Sequence, residues 1–217
     1  MLAGMTERDA NVVASYDRVA GAYAAHFGDE LAHKPLDRAL LDAFVEEVRG
    51  RGPVLDVGCG PGQITRALAA RGLNAMGLDL SPGMISHART LEPALPYVVG
   101  SMMAIDAEPG TYAGLTAFYA IVHLTPKELP AAFRELLRVL RPGGPLLLSF
   151  HLGDERVHVA ELLQQQVDLD FTFFARAVVE RALEEAGFTV AATLERAPYT
   201  AVEHPTRRAY VLARRPS

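Results

Sequence analysis

The chain has 217 residues, half of them hydrophobic and 22% charged, with a formal net charge of -5 and a single cysteine. That length suits one domain around one core. Arginines dispersed among carboxylates exclude a phosphate-tracking nucleic-acid surface, and no apolar run approaches the roughly 18 residues of a membrane span. One cysteine permits neither an internal disulfide nor a cysteine-built metal cluster, and the seven histidines show no metal-ligand spacing, so no metal is expected. No basic segment followed by an unbroken apolar stretch opens the chain, so a secretory leader is not expected and the cytoplasm is the assigned compartment. A small molecule is the expected partner.

Tyr16, Val19, Ala20, Tyr23 and Phe27 recur at helical spacing, and Leu36, Leu40, Leu41, Phe44 and Val48 repeat the pattern, which predicts two amphipathic helices before the first strand. "PVLDVG" then reads as a buried strand, and residues 64–70 as a helix ended by Gly72. "NAMGLDL" is a second strand followed by a helix with Ser81 as its cap and Pro82 at its first position. "LPYVVG" and "AGLTAFYAIVHL" predict the third and fourth strands, "PKELPAAFRELLRVL" a helix, and the nearly all-apolar "PLLLSF" a parallel strand covered on both sides. The pattern weakens over 152–174. "ARAVVERALEEAGF" restores a helix, and "TVAATLERA" and "RAYVLARR" read as a closing hairpin. This alternation calls for one α/β domain over residues 1–217, a Rossmann-like, doubly wound sheet of seven strands, mostly parallel with an antiparallel last strand, and helices on both faces.

In such sheets ligands bind beyond the carboxyl ends of the strands, where the first strand here delivers Gly58, Gly60 and Gly62. A turn free of side chains lets backbone N–H groups approach a ligand at a helix N-terminus. Gln63 stands where a dinucleotide fingerprint wants its third glycine, and the Lys-Ser/Thr of a phosphate-binding loop is absent. Asp56 ends the first strand and Asp79 the second, where a carboxylate can accept both hydroxyls of a ribose. A ribose without an obligatory pyrophosphate is the implied ligand.

With those residues in place, the chain resembles the class I S-adenosylmethionine-dependent methyltransferases. "VLDVGCGPGQ" is similar to their first motif, "GLDLSPGMI" to the acidic second, "GSMMAID" to the adenine-side loop, and "LLRVLRPGGPLLLSF" to the helix, turn and fifth strand, in the same order over residues 54–150. The resemblance implies S-adenosylmethionine as cofactor and a small-molecule methyl acceptor. Gly58 and Gly60 would border the methionine portion, with Asp56 at its ammonium group, and Cys59 and Gly62 would also belong to the cofactor site. Asp79 would grip the ribose, with Leu80 and Met84 beside it, and Ser101, Met102 and Met103 would flank the adenine. Ala117, Phe118 and Tyr119 would border the sulfonium and the acceptor. Residues 1–50 would cover the site through Tyr16 and Tyr23, and 152–174 would shape the acceptor pocket. Ser101 departs from the aspartate common in the family, and Tyr112-Ala113 from its Phe-Asp.

Each of these residues also has a plainer reading. Cys59 suits a small buried apolar position, no activating pattern surrounding it, and Tyr16 and Tyr23 lie on a helix face that packing alone explains. His123 and His151 follow the fourth and fifth strands and are the candidate general bases, should the acceptor need one. Two rivals stay open: a protein that binds S-adenosylmethionine without turnover, and a nicotinamide-dependent oxidoreductase, which Gln63 disfavours.

Overall fold

The computed structural model describes residues 6–200 and 202–217. Positions 1–5 of the opening segment and residue 201 of the expected closing loop lie outside the described residues. Helix α1 (Glu7–Phe27) begins at Thr6, whose hydroxyl and backbone exchange hydrogen bonds with Asp9 in a capping box. A short 3₁₀ turn (Glu30–His33) leads into α2 (Pro35–Val48). Then follow β1 (Val54–Val57), α3 (Gln63–Ala70), β2 (Ala75–Asp79), α4 (Pro82–Leu91), β3 (Tyr97–Val99), β4 (Gly114–Phe118), α5 (Leu129–Val139) and β5 (Pro145–His151). The chain closes with β6 (Arg156–Leu162), β7 (Gln165–Thr172), α6 (Arg176–Ala186), β8 (Thr189–Arg196) and β9 (Arg208–Arg214). Ser81 caps α4 as expected, its hydroxyl accepting from the Met84 N–H at 3.0 Å with Pro82 in the first turn, and α6 stops at a left-handed Gly187.

Seven strands form one sheet in the order β3-β2-β1-β4-β5-β9-β8. The first five run parallel, and β9 is antiparallel to both β5 and β8. Strand residues alternate between the faces. Leu55, Val57, Leu115, Leu146, Leu148 and Phe150 pack with Phe133 and Leu136 of α5 and Val179 and Leu183 of α6. Val54, Ala75 and Leu147 face the other way, against Leu41 and Phe44 of α2 and Ile64 and Leu68 of α3. Helices thus cover both faces, and the central strands are apolar on both sides. No helix among the described residues is long and apolar enough to cross a membrane.

Two expectations need correction. The fourth strand, read over residues 113–124, ends at Phe118, because Tyr119 takes a left-handed backbone (φ +55°) that an extended strand cannot continue through. The weak stretch from 152 contains a separate two-stranded sheet, β6 paired antiparallel with β7. Its two-residue connection, Leu163-Gln164, has φ values of +50° and +63°. This hairpin packs against α1, which also lies on α4, so the two segments outside the seven-stranded sheet meet over its carboxyl edge.

Candidate functional site

Strand β1 pairs with β2 on one side and β4 on the other, so the chain's connections diverge there and open a crevice at the strands' carboxyl ends. Asp79, at the end of β2, joins that crevice to the glycine turn. Its Oδ2 accepts from the Gly60 N–H at 2.8 Å and its Oδ1 from the Ser81 N–H at 2.9 Å. Burial pushes its carboxyl above the usual range, against these backbone donors. A Cβ at Gly60 (φ +53°) would meet nothing closer than Gln63 Oε1 at 3.9 Å and Tyr23 Cε1 at 4.0 Å, so the turn presents bare backbone to open space.

Asp56 lies deeper, 1% exposed, with Oδ1 accepting from Thr116 Oγ1 at 2.9 Å and Oδ2 from Thr65 Oγ1 at 2.7 Å. Burial pushes this carboxyl up to about 7, opposed by the two hydroxyls. Neither threonine was singled out by the sequence. Cys59 packs with Ile85, Ala88 and Tyr97, and burial raises its thiol well above the ordinary value, so it is a neutral apolar wall residue.

These groups line a cavity of about 780 Å³, within the range of about 300–1,000 Å³ for small-molecule sites. Of the residues singled out from the sequence, Tyr16, Tyr23, Asp56, Gly58, Cys59, Gly60, Asp79, Leu80, Met84, Ser101, Met102, Met103, Phe118, Tyr119, His123 and His151 border it. Gly62 and Ala117 do not. A Cβ on Gly62 (φ +83°) would lie 2.6 Å from Tyr97 Oη, so this glycine makes room for a tyrosine and not for a ligand. Ala117 is 0% exposed and belongs to the sheet's core. Ser101 Oγ accepts from the Met103 N–H at 3.1 Å.

Helix α1 roofs the cavity. Tyr16 and Tyr23 make an edge-on pair at 6.1 Å, Tyr23 rests on Phe27, and Tyr16 meets His123. The His123 ring nitrogens have distinct roles. Nδ1 lies 2.8 Å from the Asp170 carbonyl, which can only accept, so Nδ1 carries the proton and Nε2 accepts from Tyr16 Oη, also at 2.8 Å. Burial holds His123 down to about 4, so it is neutral at pH 7. Asp17 fixes α1 to α4 by accepting from Ser81 Oγ at 2.5 Å and the Gly83 N–H at 2.7 Å. Ser15 and Asp168 tie it to β7, the Asp168 N–H donating to Ser15 Oγ at 2.9 Å.

His151 Nδ1 lies 2.7 Å from Thr206 Oγ1, which accepts from Arg208 Nη1 at 3.0 Å. Thr206 Oγ1 can also accept from Nδ1–H, so this contact holds the imidazole in place in either tautomer. Burial, then the nearby Arg208 charge, holds this imidazole down to about 3. The sequence reading missed Lys34, Glu203 and Arg208, which line the same cavity from the start of α2 and the approach to β9. All three are nearly buried, their side chains 5%, 1% and 3% exposed. The Lys34–Glu203 pair joins segments more than 150 residues apart and leaves no local pattern to read.

Residues 54–144 match a family model described as a methyltransferase domain. The chain is 34% identical over 145 residues to a malonyl-[acyl-carrier protein] O-methyltransferase of Serratia marcescens, covering 64% of this chain and 51% of that protein. It is 29% identical over 187 residues to a 2-methyl-6-phytyl-1,4-hydroquinone methyltransferase of Synechocystis, covering 80% and 54%. The chain thus spans about half the length of these curated relatives. In fold it is similar to magnesium protoporphyrin IX methyltransferase of Synechocystis, solved with S-adenosylmethionine bound, at a TM-score of 0.73 and 16% identity over 98% of this chain and 99% of that one. With the ordered motifs, the seven-stranded sheet and its acidic residue at the end of β2, these likenesses lead to one conclusion: residues 54–144 are a methyltransferase domain of the class I S-adenosylmethionine-dependent type.

Proposed function

We propose that this chain moves the methyl group of S-adenosylmethionine to an oxygen, nitrogen or carbon nucleophile of a small molecule by in-line displacement. The observation that carries the reading is the Asp79 carboxylate. Each of its oxygens accepts one backbone N–H, at 2.8 and 2.9 Å, which leaves about two of a carboxylate's four lone-pair sites for a ribose diol. The residues nearby fit the rest of the cofactor. Gly60 leaves space for a ligand beside its backbone, and Gln63 Oε1 is buried without a partner, an acceptor for an ammonium or hydroxyl group. Ser101, Met102 and Met103 supply the adenine wall, and Asp56, poised near 7, ionises more readily beside a bound cation.

The cofactor, when bound, supplies a methyl group on a positively charged sulfur, a leaving group already activated. What remains for the chain is alignment and the exclusion of water. Residues 1–50 do this from above through α1, and 152–174 from the side, where Val157, Val159, Leu162, Phe171 and Phe173 give an acceptor with an apolar body a matching surface. We read residues 1–217 as one domain with these two covers. Of the candidate bases, His123 Nε2 already accepts from Tyr16, so a proton reaches it only as Tyr16 passes on its own and takes one from the acceptor, whereas His151 borders the cavity directly.

The names of the relatives cover acceptors as different as a malonyl group on a carrier protein and a phytylated hydroquinone, so the acceptor is to be found by screening. Release of S-adenosylhomocysteine is measured with phenols, hydroquinones, amines and acyl thioesters. Acceleration by at least one class over the acceptor-free rate supports the reading. Cofactor binding with no acceleration by any class favours a binding protein without turnover.

A further inference from the structure

Where β4, β5 and the approach to β9 reach the cavity, the wall carries poorly satisfied donors. Arg208 Nε and Tyr119 Oη are both buried and make no well-formed hydrogen bond among the described residues, the Tyr119 hydroxyl lying beside that of Tyr210. Arg208, 3% exposed, spends Nη1 on the carbonyls of His204 and Thr206 and on Thr206 Oγ1. The nearest carboxylate, Glu203, comes within only 3.5 Å of Arg208 Nε. It is held instead by Arg196 at 2.6 and 2.7 Å and by the Tyr199 N–H at 2.7 Å. His151, its ring 4.9 Å from that of Tyr119, borders the same place with a polar ring edge. Lys34 Nζ lies 5.6 Å over the Tyr119 ring and pairs with Glu30 at 2.5 Å. Tyr119 reaches this place from a left-handed backbone (φ +55°), a strained conformation that persists where the surroundings enforce it.

The unpaired groups at this end of the cavity are an N–H and a hydroxyl, both able to donate. Buried polar groups in folded proteins are almost always paired, and a cluster of unpaired donors on a cavity wall marks the place of a ligand's oxygens. We propose that Tyr119, Arg208 and His151 form an anchoring subsite for a carboxylate, which, on the methyltransferase reading above, is carried by the methyl acceptor. A carboxylate brings two oxygens and no proton, matching two converging donors, one of them charged. An amide of the same shape would turn an N–H pair toward these donors. Oxygens held in this way have their lone pairs engaged and are poor nucleophiles, so the carboxylate orients the acceptor and the methyl group goes elsewhere on it.

The test is calorimetry on the full chain with benzoate and hexanoate as probes and benzamide and hexanamide as neutral counterparts, each with and without saturating S-adenosylhomocysteine. The proposal expects each carboxylate to bind at least about tenfold more tightly than its amide. It also expects Tyr119→Phe and Arg208→Gln each to weaken carboxylate binding about tenfold. Should Arg208→Gln not fold, Tyr119→Phe decides. Equal binding of acid and amide, or carboxylate binding indifferent to Tyr119→Phe, overturns the subsite, as does inorganic phosphate binding more tightly than either carboxylate. A failure of S-adenosylhomocysteine to bind counts against the cofactor reading alone, since the probes are also measured without it.

Discussion

Tyr16 of the roofing helix donates to His123 Nε2 at 2.8 Å, while His123 Nδ1 donates to the Asp170 carbonyl of β7. One imidazole thus joins the three segments that enclose the cavity: α1, the loop after β4, and the β6–β7 hairpin. Tyr16→Phe leaves the buried Nε2 without a donor and is expected to cost about 1–3 kcal/mol. A double-mutant cycle with His123→Ala, read by urea unfolding, should return a coupling of about 1 kcal/mol. Additive losses would mean the two rings merely touch.

The glycine turn separates folding from binding. Gly60→Ala meets no atom closer than 3.9 Å, so its cost is the left-handed backbone, about 1–2 kcal/mol. It places a methyl group where the ligand is proposed to lie, and cofactor affinity should fall sharply. Gly62→Ala drives a methyl group to 2.6 Å from Tyr97 Oη at φ +83° and should lower the melting temperature more, with the smaller loss of affinity in the protein that remains folded. Thermal melts and calorimetry on both variants check the dissociation.

Left-handed positions that are not glycine, Tyr119, Leu163 and Gln164, explain where the sequence was hard to read. The parallel strands, their helices and the Asp79 site were legible because apolar runs, the Ser81–Pro82 cap and the glycine turn each carry their own local signal. The β6–β7 hairpin was not. A two-residue turn with both φ values positive normally shows Asn-Gly or Asp-Gly, and here it is Leu163-Gln164, so nothing in the sequence marks the reversal. Tyr119 ended β4 early for the same reason. The Lys34–Glu203–Arg208 end of the cavity depends in part on long-range pairing, and nothing in the sequence singles out its buried arginine.

Behind that end, Arg196 bridges Asp37 at 3.0 Å and Glu203 at 2.6 Å, with side chains 8%, 1% and 1% exposed. Tyr210 Oη also donates to Asp37 Oδ1 at 2.9 Å. Arg196→Ala leaves two buried carboxylates short of their cation and is expected to cost about 3–5 kcal/mol in denaturant unfolding. A loss below about 1 kcal/mol would show that solvent reaches the network freely.

Acid sensitivity follows from the buried titrating groups. His123 and His151 are held at about 4 and about 3 in the folded chain, below their ordinary 6.5, so their contribution is present above pH 6.5 and is lost as pH falls toward 4 and 3. Asp56 has the opposite sign. Raised from 3.8 to about 7, it contributes fully below pH 3.8 and loses that contribution as pH rises toward 7. Asp56→Asn removes the second effect, so relative to the parent chain it should be least stable near pH 4 and gain steadily up to pH 7. A stability difference flat across that range would contradict the assignment.

The central claim, that the crevice beyond β1 and β2 holds S-adenosylmethionine through Asp79, is tested most directly by calorimetry with S-adenosylmethionine and S-adenosylhomocysteine, NAD as comparator and Asp79→Asn as the site control. The asparagine keeps one acceptor for the backbone donors, so the variant should fold. The account predicts binding of both adenosyl ligands, none of NAD, and at least tenfold weaker binding in the variant, the loss of a charge-assisted hydrogen bond. Binding of NAD alone, or of neither adenosyl ligand by the folded parent chain, would contradict it.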